Sequence, residues 1–223
     1  MNTYRISINQ LVNFTSASQA GKRAIIKQQL RPSPVKVSRY RLSKTRIARS
    51  IIDHGSLGPI REAIKMLKAK EAKTSWQIND KKVSLEALER FSKMKLPRIL
   101  EDLKYVPIKK TNRIFEVRTV DIVVAPEIII KGTINGKSVI GGVKIHISKN
   151  GMYDLESSQY VASIVYNYLN KESGDGETAI PELCFCLDVF RGTFVQAPAR
   201  SGELMSKVEK FCDELKSLWK QAN

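Results

Sequence analysis

The sequence predicts a mixed α/β protein in which a basic helical module precedes a domain built on a mixed β-sheet. Charge supports this division, because residues 1–113 carry 26 Lys and Arg against 8 Asp and Glu, whereas residues 114–223 carry 12 against 14. Apolar residues recur at helical spacing in the first half, and runs of β-branched residues fill the second. The second half reads as helix, three strands, helix, two strands and helix, an order typical of layered α/β domains. We therefore predict a basic helical nucleic-acid-binding region at 1–105 and an α/β domain at 106–223.

Short helices separated by turn signals are predicted for the first half. Ser7 and Ser18 are each placed to cap a helix, and the sequence RPSP ends the second helix because proline cannot continue it. A third helix is predicted from Ser38 to about Asp53, with isoleucines on one side and arginines on the other. A fourth helix runs from Leu57 or Pro59 to about Ala69, a fifth begins at Ser84, and the polar segment KTSWQINDKK is predicted to link them.

Strands and two more helices are predicted for the second half. The runs RIFEVRTVDIVVAP, EIIIKGTI and KSVIGGVKIHIS predict three consecutive strands, and Asn135-Gly136 predicts a hairpin between the last two. Gly141-Gly142 indicates a bulge or a close backbone approach. A helix from about Leu155 to Asn170, strands at ELCFCLDVF and GTFVQAP, and an amphipathic helix complete the chain.

Composition argues against several classes of protein. No run of 18 apolar residues occurs, and MNTYRISINQ lacks the apolar core of a signal peptide, so we expect a cytoplasmic protein without a membrane-spanning helix. The three cysteines, Cys184, Cys186 and Cys212, match neither a disulfide framework nor a zinc knuckle. We interpret them as reduced thiols in the core.

The basic first half points to a polyanionic partner. Eleven basic residues and no acidic residue precede Asp53, and a surface of one charge attracts nucleic acid through counterion release. We expect nucleic acid, DNA in preference to RNA, rather than an anionic membrane or an acidic protein. Tyr40 and Trp76 are candidates for stacking on bases, although such aromatic residues are more often buried. The candidate phosphate-binding residues are Lys22, Arg23, Lys27, Arg39, Arg41, Lys44, Arg46 and Arg49.

An acid and a lysine in neighbouring predicted strands indicate a second candidate site. With the element order over about residues 84–197, Pro126-Glu127 and Gly142-Val143-Lys144 resemble the core of the PD-(D/E)XK, or restriction-endonuclease-like, nucleases. The position of Gln159 resembles that of a glutamine in the RecB-like members of this nuclease superfamily. The resemblance implies a Mg²⁺-dependent phosphodiesterase, in which Glu127 binds the metal and Lys144 activates water. It also suggests a role in antiphage or other genome defence, or in mobile-element processing.

The sequence departs from that family at one critical position. Gly142 stands where the second metal-binding acid is expected, and Asp121 or Asp188 is a candidate to replace it. His146 lies on the same predicted strand face as Lys144 and is a weaker candidate for a base or ligand. Three functions therefore stay open: a working nuclease, a catalytically inactive nuclease-like subunit that binds DNA or a protein partner in a complex, and an RNA-binding protein.

Overall fold

The chain folds into a mixed α/β structure, as predicted. The computed structural model describes residues 4–31, 40–100, 103–106, 113–174 and 176–222, and within them it has seven α-helices and two mixed sheets. The helices are α1 (Ile8–Ser16), α2 (Gln19–Leu30), α3 (Arg41–Ile52), α4 (Gly58–Ala69), α5 (Ser75–Phe91), α6 (Leu155–Glu172) and α7 (Gly202–Ala222). The strands are β1 (Tyr4–Ser7), β2 (Lys104–Val106), β3 (Ile114–Val117), β4 (Val120–Val123), β5 (Ile128–Ile134), β6 (Lys137–His146), β7 (Glu177–Asp188) and β8 (Thr193–Gln196).

A five-stranded sheet lies at the centre, with the strand order β2-β5-β6-β7-β8. Strands β6 and β7 are parallel and are joined through helix α6, whereas the other neighbouring pairs are antiparallel. A smaller sheet has the order β1-β4-β3. The predicted hairpin at Asn135-Gly136 is confirmed, since the φ angles of 51° and 75° at these residues suit a tight turn between β5 and β6.

Each face of the central sheet carries its own layer of helices and its own hydrophobic cluster. Alternate residues of β7 show this: Phe185 belongs to the cluster under α3, α4 and α5, whereas Cys184 belongs to the cluster under α1, α2, α6 and α7. Each cluster draws on both halves of the chain, since Phe14 and Val161 belong to one and Ile47 and Val143 belong to the other. Neither cluster is confined to one side of residue 105.

The first described residues form a strand that the sequence analysis did not predict. Strand β1 pairs in parallel with β4, with Ile6 opposite Ile122, and both residues are fully buried. Ser7 ends this strand and, as predicted, caps α1 by accepting a hydrogen bond from the Gln10 backbone N–H at 3.3 Å. The N-terminal segment is therefore part of the smaller sheet.

The prediction of one strand for RIFEVRTVDIVVAP was wrong. This run folds into the antiparallel hairpin β3–β4, and its turn residues Arg118 and Thr119 have φ angles of 50° and 64°. Positive φ is uncommon in residues other than glycine, and here neither residue is a usual turn former. The turn chemistry therefore gave no signal in the sequence.

Helix α5 begins nine residues before its predicted start at Ser84, so the prediction of a link at KTSWQINDKK was wrong. Thr74 and Gln77 form a capping box: the Thr74 hydroxyl accepts from the Gln77 backbone N–H at 3.2 Å, and the Gln77 side chain accepts from the Thr74 N–H at 3.1 Å. This cap stabilises a first helical turn made of polar residues. Trp76 and Asp80 consequently lie four residues apart on one helix face.

Glycine at position 141 allows β6 and β7 to approach closely. A Cβ atom there would lie 2.3 Å from the Leu183 carbonyl oxygen, and the register shifts between Ile140 and Gly142. The predicted bulge or close approach is thus confirmed.

The three cysteines are buried and free, as predicted, and burial raises the pKa of the Cys184 thiol to about 12. Within the described ranges, no helix combines the length and apolar character needed to span a bilayer.

Candidate nucleic-acid interface and a buried ionic cluster

A cleft of about 730 Å³ opens on the helical layer formed by α3, α4 and α5. Small side chains bring two of these helices together, because the buried Ser43 hydroxyl of α3 donates to the Ser84 carbonyl of α5 at 3.3 Å. Leu67 of α4 contributes an apolar surface to the cleft. Its size lies in the range of protein ligand sites.

Four cationic side chains line this cleft. Arg41 and Arg49 lie eight residues apart on α3 and share a face, Arg46 lies beside them, and Lys70 follows the end of α4. Arg46 pairs with Glu62 at 2.7 Å and Arg49 pairs with Asp53 at 2.9 Å. In each pair one side chain is more than 60% exposed, and such pairs contribute little free energy. A phosphate group can therefore replace these carboxylates.

Two aromatic residues lie among these cations. Tyr40 precedes α3 in a left-handed conformation, with φ of 61°, which is rare for a bulky side chain. Trp76 projects from the first turn of α5, and both aromatic side chains are half-buried in the cleft lining. The structure thus brings together Arg41, Arg46 and Arg49 with both predicted stacking residues.

The other predicted phosphate-binding residues do not line the cleft. Lys22 is only 11% exposed and pairs with Glu214 of α7 at 2.8 Å. Arg23 and Lys27 are exposed on α2, which packs on the opposite face of the central sheet. Lys44 turns from α3 towards Glu127, and Arg39 lies outside the described residues.

Glu127 and Lys144, the predicted catalytic pair, meet in a largely buried ionic cluster at the start of β5. Glu127 Oε1 lies 3.3 Å from the Nζ atoms of both Lys144 and Lys44, and its Oε2 accepts from the Ile145 backbone N–H at 2.7 Å. Lys144, whose side chain is 9% exposed, also donates to the Ala125 carbonyl at 2.7 Å. Ala125 has a φ of 39°, a strained value that accompanies this contact.

The cluster keeps Glu127 ionised. Burial alone would raise the pKa of Glu127, but the Lys144 and Lys44 ammonium groups and the Ile145 N–H outweigh burial and hold it below its usual range. Burial lowers the pKa of Lys144, with a further contribution from Lys44, while Glu127 opposes that change. One carboxylate therefore balances two lysines in a poorly hydrated place.

The predicted metal ligands do not fit a Mg²⁺ site. Both oxygens of Glu127 already accept from cations or a backbone N–H, and Asp121 lies on β4, where it pairs with Arg5 at 3.1 Å. A Cβ atom at Gly142 would lie 3.1 Å from the Ile128 carbonyl oxygen and 3.2 Å from Leu169, so α6 leaves little room for a side chain. Across the described ranges, no group of three His, Cys, Asp or Glu side chains is arranged to bind a metal ion.

Asp188 and His146 stabilise the loop after β6. Asp188 is fully buried and accepts from the backbone N–H groups of Tyr153 and Arg191 at 2.7 and 2.9 Å. The His146 ring stacks on Tyr153 with centroids 3.7 Å apart, and its Nε2–H donates to the Gly151 carbonyl at 2.7 Å. These contacts give both residues a structural role.

Burial lowers the pKa of His146, against the opposing effects of Gly151 and Asp188, so the stability of the protein should decrease in mild acid. The unfolded chain binds a proton near pH 6.5, whereas the folded chain binds it only at lower pH. We expect the free energy of unfolding to decrease as pH falls from about 6.5 towards the folded pKa, and this slope to be reduced in His146→Gln. Urea titrations between pH 5 and 8 measure the free energy of unfolding of both proteins and so give this slope. The exposed His54 provides the control, because an equal change in His54→Gln would contradict this assignment.

Comparison with known proteins finds no matching family model and no significantly similar curated protein. Similarity therefore assigns no function to the chain, and the resemblance to PD-(D/E)XK nucleases stays a prediction. Lys70 and Asp80 also line the cleft, although we did not predict them from the sequence. The Thr74–Gln77 capping box was the signal that would have placed Asp80 beside Trp76.

Proposed function

We propose that this protein binds nucleic acid in the cleft between α3, α4 and α5, and that it binds without cutting. The observation that carries this proposal is the convergence of Arg41, Arg46, Arg49 and Lys70 with Tyr40 and Trp76 in one cleft. Guanidinium groups suit phosphate oxygens, and aromatic rings suit the faces of bases.

Charge supports a polyanionic ligand over a small neutral one. The protein has a net charge of +16, and the described residues that line the cleft include four cations but a single acid, Asp80. Arg41 makes no ion pair with another described residue, so its charge is available to a ligand. Phosphate contacts of this type position a nucleic acid without reading its sequence.

The Glu127 cluster supports binding without cleavage. Metal-dependent phosphodiester hydrolysis needs hard oxygen ligands around the ion, and the oxygens of Glu127 are engaged by two lysines and a backbone N–H. We therefore interpret this cluster as part of the framework that positions α3, through Lys44, beside the central sheet. No catalytic step is assigned to it.

The test is one experiment that scores binding and cleavage in the same samples. Purified protein is incubated with labelled duplex DNA, single-stranded DNA and RNA, with Mg²⁺, Mn²⁺ or EDTA. We expect salt-sensitive binding that does not require the metal, and intact probes throughout. Metal-dependent cutting by the wild-type protein would contradict binding without cleavage, and the absence of binding to every probe at low salt would overturn the proposal as a whole.

A further inference from the structure

Asp80 gives the cleft a hydrogen-bond acceptor for which the described part of the chain supplies no donor. The Asp80 Oδ1 atom is buried and has no hydrogen-bond partner among the described residues, although four cations line the same cleft. A buried oxygen without a donor is unfavourable, and such atoms in folded proteins usually have a partner. Asp80 also lines the cleft, so a movement of its side chain towards the cleft would let a bound ligand supply this donor.

The residues around Asp80 indicate which chemical groups such a ligand carries. Trp76 lies one helical turn before Asp80 on α5, so its ring and the carboxylate face the same space. A ring that stacks on Trp76 would therefore lie close to the Asp80 carboxylate. The site therefore combines a stacking surface, an acceptor for N–H groups and nearby cations for phosphate.

From this arrangement we infer that the cleft binds an unpaired guanine of a single-stranded nucleic acid, with Asp80 as the residue that selects the base. This inference rests on the proposed function. Guanine carries two adjacent N–H donors, N1–H and the N2 amino group, on its Watson–Crick edge, and a carboxylate can accept from both. Adenine and cytosine place a ring acceptor beside their amino group, and thymine and uracil place one N–H between two carbonyls. Both arrangements repel a carboxylate.

The same chemistry requires a single strand. In a duplex, cytosine already occupies the N1–H and N2 amino groups of guanine, whereas proteins that read single strands bind exposed Watson–Crick edges and stack the bases on aromatic rings. Arg41 and Arg49 lie about 12 Å apart along the axis of α3. That spacing exceeds the reach of one phosphate, which favours a strand over a free mononucleotide.

The test measures the affinity of the full-length protein for labelled 12-mers of thymidine that carry one central dG, dA, dC or dT, at one salt concentration. A duplex containing the same dG and free GMP as a competitor are the further probes. We expect the dG strand to bind about 10-fold more tightly than the other strands. We also expect it to bind more tightly than the duplex, and GMP to compete weakly.

Two carboxylate variants separate base selection from a general effect of charge. Asp80→Asn should reduce the preference for dG to about twofold while the dT strand binds at least as well as to the wild type. Asp53→Asn removes the same charge beside Arg49 but away from Trp76, so it should leave the preference for dG unchanged. Thermal unfolding of each variant checks that the fold is retained.

The outcomes distinguish this inference from the proposed function. Equal affinity for all four central bases, or a dG preference that survives in Asp80→Asn, would overturn base selection while nucleic-acid binding stands. Equal affinity for the duplex, or GMP that competes as well as the 12-mer, would overturn the assignment of a single strand. If none of the strands binds, the proposed function itself fails.

Discussion

The substitution Glu127→Gln is expected to lower the free energy of unfolding by about 3 kcal/mol. Glutamine keeps the size of the side chain and can still accept from the Ile145 N–H. It removes a carboxylate that, among the described residues, alone contacts both Lys44 and Lys144, and it leaves two ammonium groups in a poorly hydrated place. Urea unfolding at pH 7, followed by circular dichroism, measures the loss.

A second substitution provides the control for this prediction. Lys144→Met removes one of the two cations but leaves Glu127 with Lys44 and the Ile145 N–H, so we expect a loss of about 1 kcal/mol. The double variant should be more stable than Glu127→Gln alone, because the substitution of Lys144 removes a charge that has lost its partner. Additive losses in the double variant would contradict this account of the cluster.

The effect of Glu127 should also depend on pH. Its pKa is held below the ordinary value, so its stabilising effect is present above about pH 4.5 and is lost as pH falls through the folded pKa. The difference between the wild type and Glu127→Gln should therefore shrink in acid. A difference that stays constant down to pH 3 would show that the carboxylate charge is not its cause.

Replacing Arg41, Arg46 and Arg49 together with alanine is expected to weaken nucleic-acid binding by about 100-fold near 0.1 M salt. Each arginine is expected to contact one phosphate. For a single strand, the loss of three contacts should make the slope of log affinity against log salt concentration shallower by about 2.1. Binding isotherms at four salt concentrations give both quantities, and alanine is a favourable residue within a helix.

A matched variant removes three charges from the opposite face of the central sheet. Arg23 and Lys27 on α2 and Lys210 on α7 are exposed, and their replacement by alanine gives the same change in net charge. We expect this variant to bind within about threefold of the wild type, since only long-range attraction changes. Equal losses in the two triple variants would show that total charge, rather than the cleft, determines binding.

Local signals predicted much of the fold. Ser7 and Ser18 cap helices where their side chains indicated, and Asn135-Gly136 forms the expected hairpin. Such features depend on a few neighbouring residues, and their chemistry is visible in the sequence. Strand β1 could not be found in this way, because four residues form a strand only by pairing with β4, more than a hundred positions later.

The candidate site was predicted only in part, for the same physical reason. Helical periodicity placed Arg46 and Arg49 on one face of α3, but it could not show that Lys44 turns towards Glu127. That contact is created by the packing of α3 against the sheet. Asp80 was missed because its polar surroundings resemble a loop, while the cap at Thr74 makes them helical.

Photo-cross-linking of a single-stranded 12-mer that contains 4-thiothymidine, followed by peptide mass spectrometry, tests the central claim most directly. Each adduct identifies residues that contact the strand. We predict adducts in the segments Tyr40–Arg49 and Thr74–Asp80, and their loss when Arg41, Arg46 and Arg49 are replaced. Adducts confined to α2 or to the surroundings of Glu127, or no adducts under conditions where the strand is bound, would contradict the assignment of the cleft as the nucleic-acid interface.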